Sequence, residues 1–166
     1  MGNENEPKKK PREPMPRDML EQHIVEFIKS HNVCVLATAK DNVPRATPLE
    51  YEPDGTTLYI NAGSGRKIEN IRANPQISAA IHDPLHGWLT VKGIQITAQP
   101  KLITDGDAEY ADAWKIFNRA NAGKEGWDIP PKGGTLLIIE PQKIELFETA
   151  LKDKGYKIRQ IWEAQN

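Results

Sequence analysis

Gly63-Ser64-Gly65-Arg66-Lys67 sits where a β-branched run gives way to helical spacing, and its residue types suit one kind of chemistry. Glycines admit positive φ and let the backbone come close to a ligand. The first turn of a helix leaves amide N–H groups without acceptors and carries the positive end of the helix dipole. A hydroxyl at Ser64 and cations at Arg66 and Lys67 complete a corner suited to a phosphate. Arg45, on the neighbouring predicted strand, supplies a third cation. The spacing is not that of a Walker A loop, which ends in Lys-Ser/Thr. Taken alone, the five residues also fit an ordinary helix start.

The elements that must position this corner can be read around it. Val43 to Glu52 reads as a strand, Pro53-Asp54-Gly55 as a reversal, and Thr56 to Ala62 as a second strand. A short helix from Arg66 to Ala73 ends at Asn74-Pro75, because the residue before proline resists the α region. Pro44 and Pro48 cannot donate to a sheet ladder, which places them at an edge, a bulge or an opening. Val33 to Ala39 pairs with the Val43 strand through the turn Lys40-Asp41-Asn42.

Upstream, residues 1–17 are proline-rich and charged and read as a solvated, disordered arm, followed by one domain over residues 18–166. Asp18 is expected to cap a helix with Glu21 as reciprocal partner, and Leu20, Ile24, Phe27 and Ile28 form its apolar stripe. Downstream, Gln76 to His82 and Trp88 to Leu102 read as strands, the second with a bulge at Gly93. A helix is expected from Asp105 or Asp107 to Asn121, then a glycine- and proline-rich loop over residues 122–134. Thr135 to Glu140 and Lys143 to Thr149 are two more strands, and Ile158, Ile161 and Trp162 form a docking patch in the tail. Six or seven short strands without a βαβ rhythm make a mainly β fold with peripheral α-helices: a small antiparallel Greek-key barrel.

Composition bounds the function classes. The 166 residues fit one domain, and a net charge of −1 gives no global field for nucleic acid or acidic membrane. No apolar run approaches the length of a membrane span. The polar start is neither a secretory signal nor, with Glu6 where Ser or Thr is required, a myristoylation site. A single cysteine, Cys34, fits a reducing compartment, so a cytoplasmic location is expected.

Other chemistry-bearing residues fit bland roles. His82 and His86 flank a loop whose Pro84 and Gly87 exclude a helix, and no third metal ligand is in reach, so no metal site is expected. Trp88, Trp114 and Trp127 are candidates for stacking on a flat ring, although core or interface filling is commoner for any one of them. Cys34 has no base at a readable spacing, and no Ser/His/Asp arrangement or carboxylate pair stands out.

The stretch VCVLATAKDNVPRATPLEYEPDGTTLYINAGSGRKIENIRANPQISAAI resembles the FMN-binding split barrel of the pyridoxamine 5′-phosphate oxidase superfamily. The resemblance covers roughly residues 20–150 and is strongest from Val33 to Ile96. It implies a six-stranded antiparallel split barrel that dimerises and holds two FMN molecules in clefts between the subunits. It matches Arg45, Ala46 and Thr47 to the phosphate-binding strand, Ile60 and Asn61 to the flavin-touching strand end, and Ser64, Arg66 and Lys67 to the phosphate corner with Gly65 inserted. Gln95 falls where the family places a glutamine from the facing subunit. Glu50 stands where the vitamin B6 enzymes end a motif in lysine, and Trp162 and Arg159 do not reproduce their C-terminal signature. The chain therefore resembles the short, general-stress-protein-like members, whose substrate is unassigned.

The expectation is an FMN-dependent oxidoreductase acting on a small molecule as a homodimer, with no catalytic acid or base named. Deazaflavin or haem are the alternative cofactors. The rival readings are a non-catalytic flavin- or haem-binding stress or storage protein, and a single-strand nucleic-acid barrel. The last needs a basic, aromatic-lined groove, which no stretch supplies.

Overall fold

The computed structural model describes residues 11–165. In chain order it has α1 (Arg17–Lys29), β1 (Val33–Lys40), β2 (Val43–Glu50), β3 (Glu52–Asp54), β4 (Thr57–Asn61), α2 (Arg66–Ala73) and β5 (Ile77–His82). Then come β6 (Lys92–Ala98), β7 (Lys101–Thr104), α3 (Tyr110–Phe117), β8 (Thr135–Ile139), β9 (Lys143–Glu148) and β10 (Arg159–Glu163). One sheet runs β10-β9-β6-β5-β1-β2 and the other β3-β4-β8-β7, every ladder antiparallel.

Two corners turn these sheets into a split barrel. At Tyr51 the chain passes from β2 in one sheet to β3 in the other, and at Gln99-Pro100 it passes from β6 to β7. The single strands expected over Val43 to Glu52 and over Trp88 to Leu102 are each divided at these points. Pro100 lacks the N–H that would continue the β6 ladder. Gly93 makes no bulge: it pairs in register with His82 and Phe147. Trp88–Thr90 forms a turn of 3₁₀ helix rather than strand.

Period-two alternation sets the core. Cys34 and Leu36 on β1, Ile77, Ala79 and Ile81 on β5, Ile94, Ile96 and Ala98 on β6, and Ile144 and Leu146 on β9 all point to one face. β8 is buried on both faces: Leu137 and Ile139 join the main core, while Leu136 and Ile138 pack with Tyr110, Ala113 and Trp114. α1 lays the expected stripe of Leu20, Ile24, Phe27 and Ile28 on the main core. The buried Tyr51 hydroxyl donates to the Ile28 carbonyl at 2.7 Å, tying the corner to the last turn of α1.

Several local expectations need correction. α1 starts at Arg17 after Pro16 with no side-chain cap; Glu21 instead accepts the Trp162 indole N–H at 2.8 Å. α3 is shorter than expected, because Asp107 turns back to accept the Thr104 amide and hydroxyl, and Asp105 accepts the Gly133 amide. The arm expected over residues 1–17 lies mainly outside the described residues. Its last part runs beside the C-terminal strand: Glu13 bridges Tyr156, the Met15 amide donates to the Gln160 side chain, and Arg17 donates to the Glu163 carbonyl.

Candidate functional site

The β1–β2 hairpin and α2 bring the first set of predicted residues together. β2 is the edge strand, as Pro44 and Pro48 require. Its register opposite β1 pairs Arg45 with Thr38 and Thr47 with Leu36, both of which face inward. Arg45 and Thr47 therefore lie on the α2 side of the sheet, and Ala46 on the open side. α2 is fixed there by Ile68 and Ile71 in the core and by Asn70, whose amide donates to the Thr38 hydroxyl at 3.0 Å.

Between hairpin and helix is a hollow of about 260 Å³ lined by Lys40, Arg45 and Arg66, with Asp41, Glu69 and Asn70. Gly63 (φ 59°) and Gly65 (φ 97°) adopt the left-handed conformations that the turn requires. Ile68 and Glu69 donate to the Gly65 carbonyl, so the helix offers no acceptor for the Arg66 and Lys67 amides. Lys67 reaches back to the Ser64 carbonyl at 3.1 Å. Among the described residues, Arg45, Arg66 and Lys67 have no carboxylate partner within 4.0 Å. Among the described residues, the Thr47 hydroxyl is buried and has no hydrogen-bond partner. A buried hydroxyl left unpaired costs about 1–3 kcal/mol.

The remaining predicted residues fall elsewhere. Asn61 is exposed at the end of β4, just before Gly63. Ile60 is turned fully into the core, so only its main chain can serve a ligand. Gln95 is exposed on the open face of β6, three strands from β2, about 14 Å away. Trp114 is buried and donates its indole N–H to the Trp127 carbonyl, a core role. Trp88 stands exposed beside Phe147. Burial pushes the Cys34 thiol up to about 11, which keeps it protonated and unreactive at neutral pH. A larger groove, about 990 Å³, runs between Arg12 and Lys152, Lys157 and Arg159; it takes in Ile158 of the expected docking patch and none of the predicted cofactor residues. Among the described residues no three His, Cys, Asp or Glu side chains gather to hold a metal.

Sequence reasoning missed Lys40 and Asn70 as walls of the corner. The hairpin register, Lys40 opposite Val43, was the readable signal for Lys40. The Asn70 position depends on how α2 rolls on the sheet, which its short sequence leaves open.

The sequence profile described as "Pyridoxamine 5'-phosphate oxidase" matches residues 20–146. The chain belongs to this family. An F420H(2)-dependent quinone reductase of Mycobacterium tuberculosis is 30% identical over 92 residues, covering 52% of this chain and 55% of that protein. The chain thus spans about half the length of the curated relatives it matches. Solved structures share the fold: an FAD-binding protein of Mesorhizobium loti (TM-score 0.58, 22% identity, 74% of this chain and 88% of that one) and a heme binding protein of Mycobacterium smegmatis (0.64, 18%, 86% and 57%). General Stress Protein 26 of Bacillus anthracis aligns likewise (0.58, 19%, 76% and 92%). At these identities the structures establish the split barrel alone.

Proposed function

We propose that this family member is an FMN-binding oxidoreductase that acts on a small molecule as a cytoplasmic homodimer. The observation that carries the reading is the corner itself: Arg45 and Arg66 line one hollow, and on the same face of β2 the Thr47 hydroxyl is buried with no hydrogen-bond partner among the described residues. A phosphate monoester fits this donor set, with two guanidinium groups, the Lys67 ammonium, free amides at Arg66 and Lys67, and the Ser64 hydroxyl nearby. In this reading Ala46, Asn61 and the Ile60 main chain take the part of the cofactor beyond its phosphate. When bound, FMN supplies two-electron redox chemistry; the chain holds its phosphate, orients it and limits the access of water.

The dimer follows from the open face of the six-stranded sheet. Val35, Ala37, Ala46, Pro48, Ala80 and Ile161 lie on it, all at least partly exposed. A second copy covers these side chains and brings its own Gln95 to the ring of a flavin held at this corner. Within one chain, Gln95 is too far from β2 to share a phosphate contact. Nucleic acid and membrane are not part of the reading: the net charge is −1, and no helix among the described residues is long and apolar enough to cross a bilayer.

The relatives named for F420, FAD and haem make the cofactor itself the first thing to measure. Purified protein is titrated with FMN, followed by absorbance and calorimetry. Arg45→Ala and Arg66→Ala are each expected to weaken FMN tenfold or more, since a charge-assisted contact contributes about 1.5–3 kcal/mol. Both side chains are exposed, so the circular dichroism and melting temperature stay unchanged. Failure to take up FMN, or wild-type affinity in both variants, rejects the reading. Tight deazaflavin binding or a Soret band on adding haemin would replace FMN with that cofactor. Bleaching of bound FMN by NADH or NADPH, followed by reoxidation, separates an enzyme from a store.

A further inference from the structure

The margin of the six-stranded sheet beyond β10 carries a charge pattern that the phosphate corner does not use. There the 3₁₀ turn Thr149–Lys154 and the stretch leading into β10 form one wall of the groove of about 990 Å³, and Arg12 stands on the other. Main-chain hydrogen bonds clasp the two walls. The Glu13 amide donates to the Gly155 carbonyl at 3.3 Å, and the Lys157 amide donates to the Glu13 carbonyl at 3.0 Å.

Four cations, Arg12, Lys152, Lys157 and Arg159, line this groove against one carboxylate, Asp153. The whole chain holds 22 Lys and Arg to 23 Asp and Glu, so four to one is a segregated patch rather than an average surface. Among the described residues none of the four cations has a carboxylate within 4.0 Å. Like charges along a concave wall add their fields and draw in an anion.

The size and lining of the groove select among anions. A second hollow of about 360 Å³ continues it past Lys157 to Met15 and Leu20. Together the two exceed the roughly 300–1,000 Å³ of a small-ligand cleft, which favours a length of chain over a single small molecule. Ile158 and Met15, both half-buried, put apolar surface among the cations, which suits a peptide and wastes contact on a bare phosphate chain. A strand of nucleic acid needs exposed aromatic faces for its bases. Among the described residues the one aromatic lining either hollow is Trp162; it is 7% exposed, and the Arg17 guanidinium lies over its ring at 5.5 Å.

We infer that this groove docks an acidic peptide segment of a partner protein. Its carboxylates meet Arg12, Lys152 and Lys157, and its apolar side chains lie on Ile158 and Met15. Arginine-rich clefts recognise acidic motifs through charge-assisted hydrogen bonds of this kind. The dock is independent of the cofactor: β10 and β2 are opposite edges of one sheet, about 24 Å apart within a chain.

The test uses the full chain and a fluorescein-labelled eight-residue peptide that alternates glutamate with leucine and serine, beside its glutamine counterpart. Anisotropy at low salt is expected to show the glutamate peptide binding about tenfold or more tightly than the glutamine one. The double variant Arg12→Ser, Lys157→Ser loses that preference. Both side chains are exposed and the clasp is main chain, so its melting temperature stays as in the wild type. The control double variant Lys115→Ser, Lys132→Ser makes the same charge change on α3 and its following loop, and keeps the preference. Equal affinity for the two peptides overturns the dock, as does preference that survives loss of Arg12 and Lys157 or disappears equally in the control. Tighter binding of a twelve-nucleotide oligothymidine or of polyphosphate than of the glutamate peptide overturns the peptide in favour of that polyanion.

Discussion

Thr47 shows what a single orphaned group implies. Its hydroxyl is buried without a hydrogen-bond partner among the described residues, so replacing it by valine removes a penalty rather than a bond. Thr47→Val is expected to melt at the same or a higher temperature, by the equivalent of up to about 1 kcal/mol, while FMN binds about fivefold more weakly. Opposite movement of stability and affinity is the signature of a hydroxyl kept for a ligand, and thermal melts with and without FMN read both. Glu148 is the contrasting case, a buried carboxylate fully paired with His23 at 2.5 Å and Lys92 at 3.2 Å. Burial alone would raise its pKa, but the His23 hydrogen bond and the Lys92 charge outweigh it and hold the carboxyl below its ordinary value of 4.5. Its stabilisation is therefore complete above pH 4.5 and is lost as the pH falls through the lower folded-state value. Urea midpoints measured downward from pH 7 should show this loss in the wild type. Glu148→Gln should be less stable at pH 7, by about 3 kcal/mol, and show a flatter acid profile.

Among the elements, the corner at Tyr51 joins the two sheets to α1. The Ile28 carbonyl belongs to the last turn of its helix and accepts the Tyr51 hydroxyl at 2.7 Å, more closely than the His31 amide at 3.3 Å. Tyr51→Phe should cost about 1–2 kcal/mol, read as a lower melting temperature with an unchanged spectrum. The elements also show what the sequence could and could not reveal. α2 runs over the expected residues because a glycine turn and an Asn-Pro stop bracket it, and both signals are local. β2 is an edge strand because two prolines demand it. The division at Gln99-Pro100 was hidden, since alternation continues across a corner where the strand changes sheet. α1 was expected to use a capping box, but the tertiary pull of Trp162 on Glu21 overrides it. That the β1–β2 hairpin and the start of α2 share one corner was legible because its residues are close in sequence or joined by one hairpin. The row of His82, Gly93, Phe147 and Arg159 across one sheet was not, because its four strands come together only through the register of the sheet.

For the whole molecule, the apolar β1–β2 side of the open face makes association measurable. Sedimentation should show a dimer, and an aspartate in place of Val35 should give a folded monomer with FMN affinity reduced at least tenfold, since one wall of each cleft is lost. Unchanged association in that variant would place the interface elsewhere. The other margin of the same sheet is shielded differently. The segment carrying Glu13, Met15 and Arg17 follows β10, donating and accepting along it at Tyr156, Gln160 and Glu163. An uncovered outermost strand is a template on which neighbouring molecules stitch themselves together. Those few contacts therefore act as a selvedge, and a chain trimmed past Arg17 would be prone to unravel into fibrous aggregates at the C-terminal margin while the corner between the hairpin and α2 remained intact.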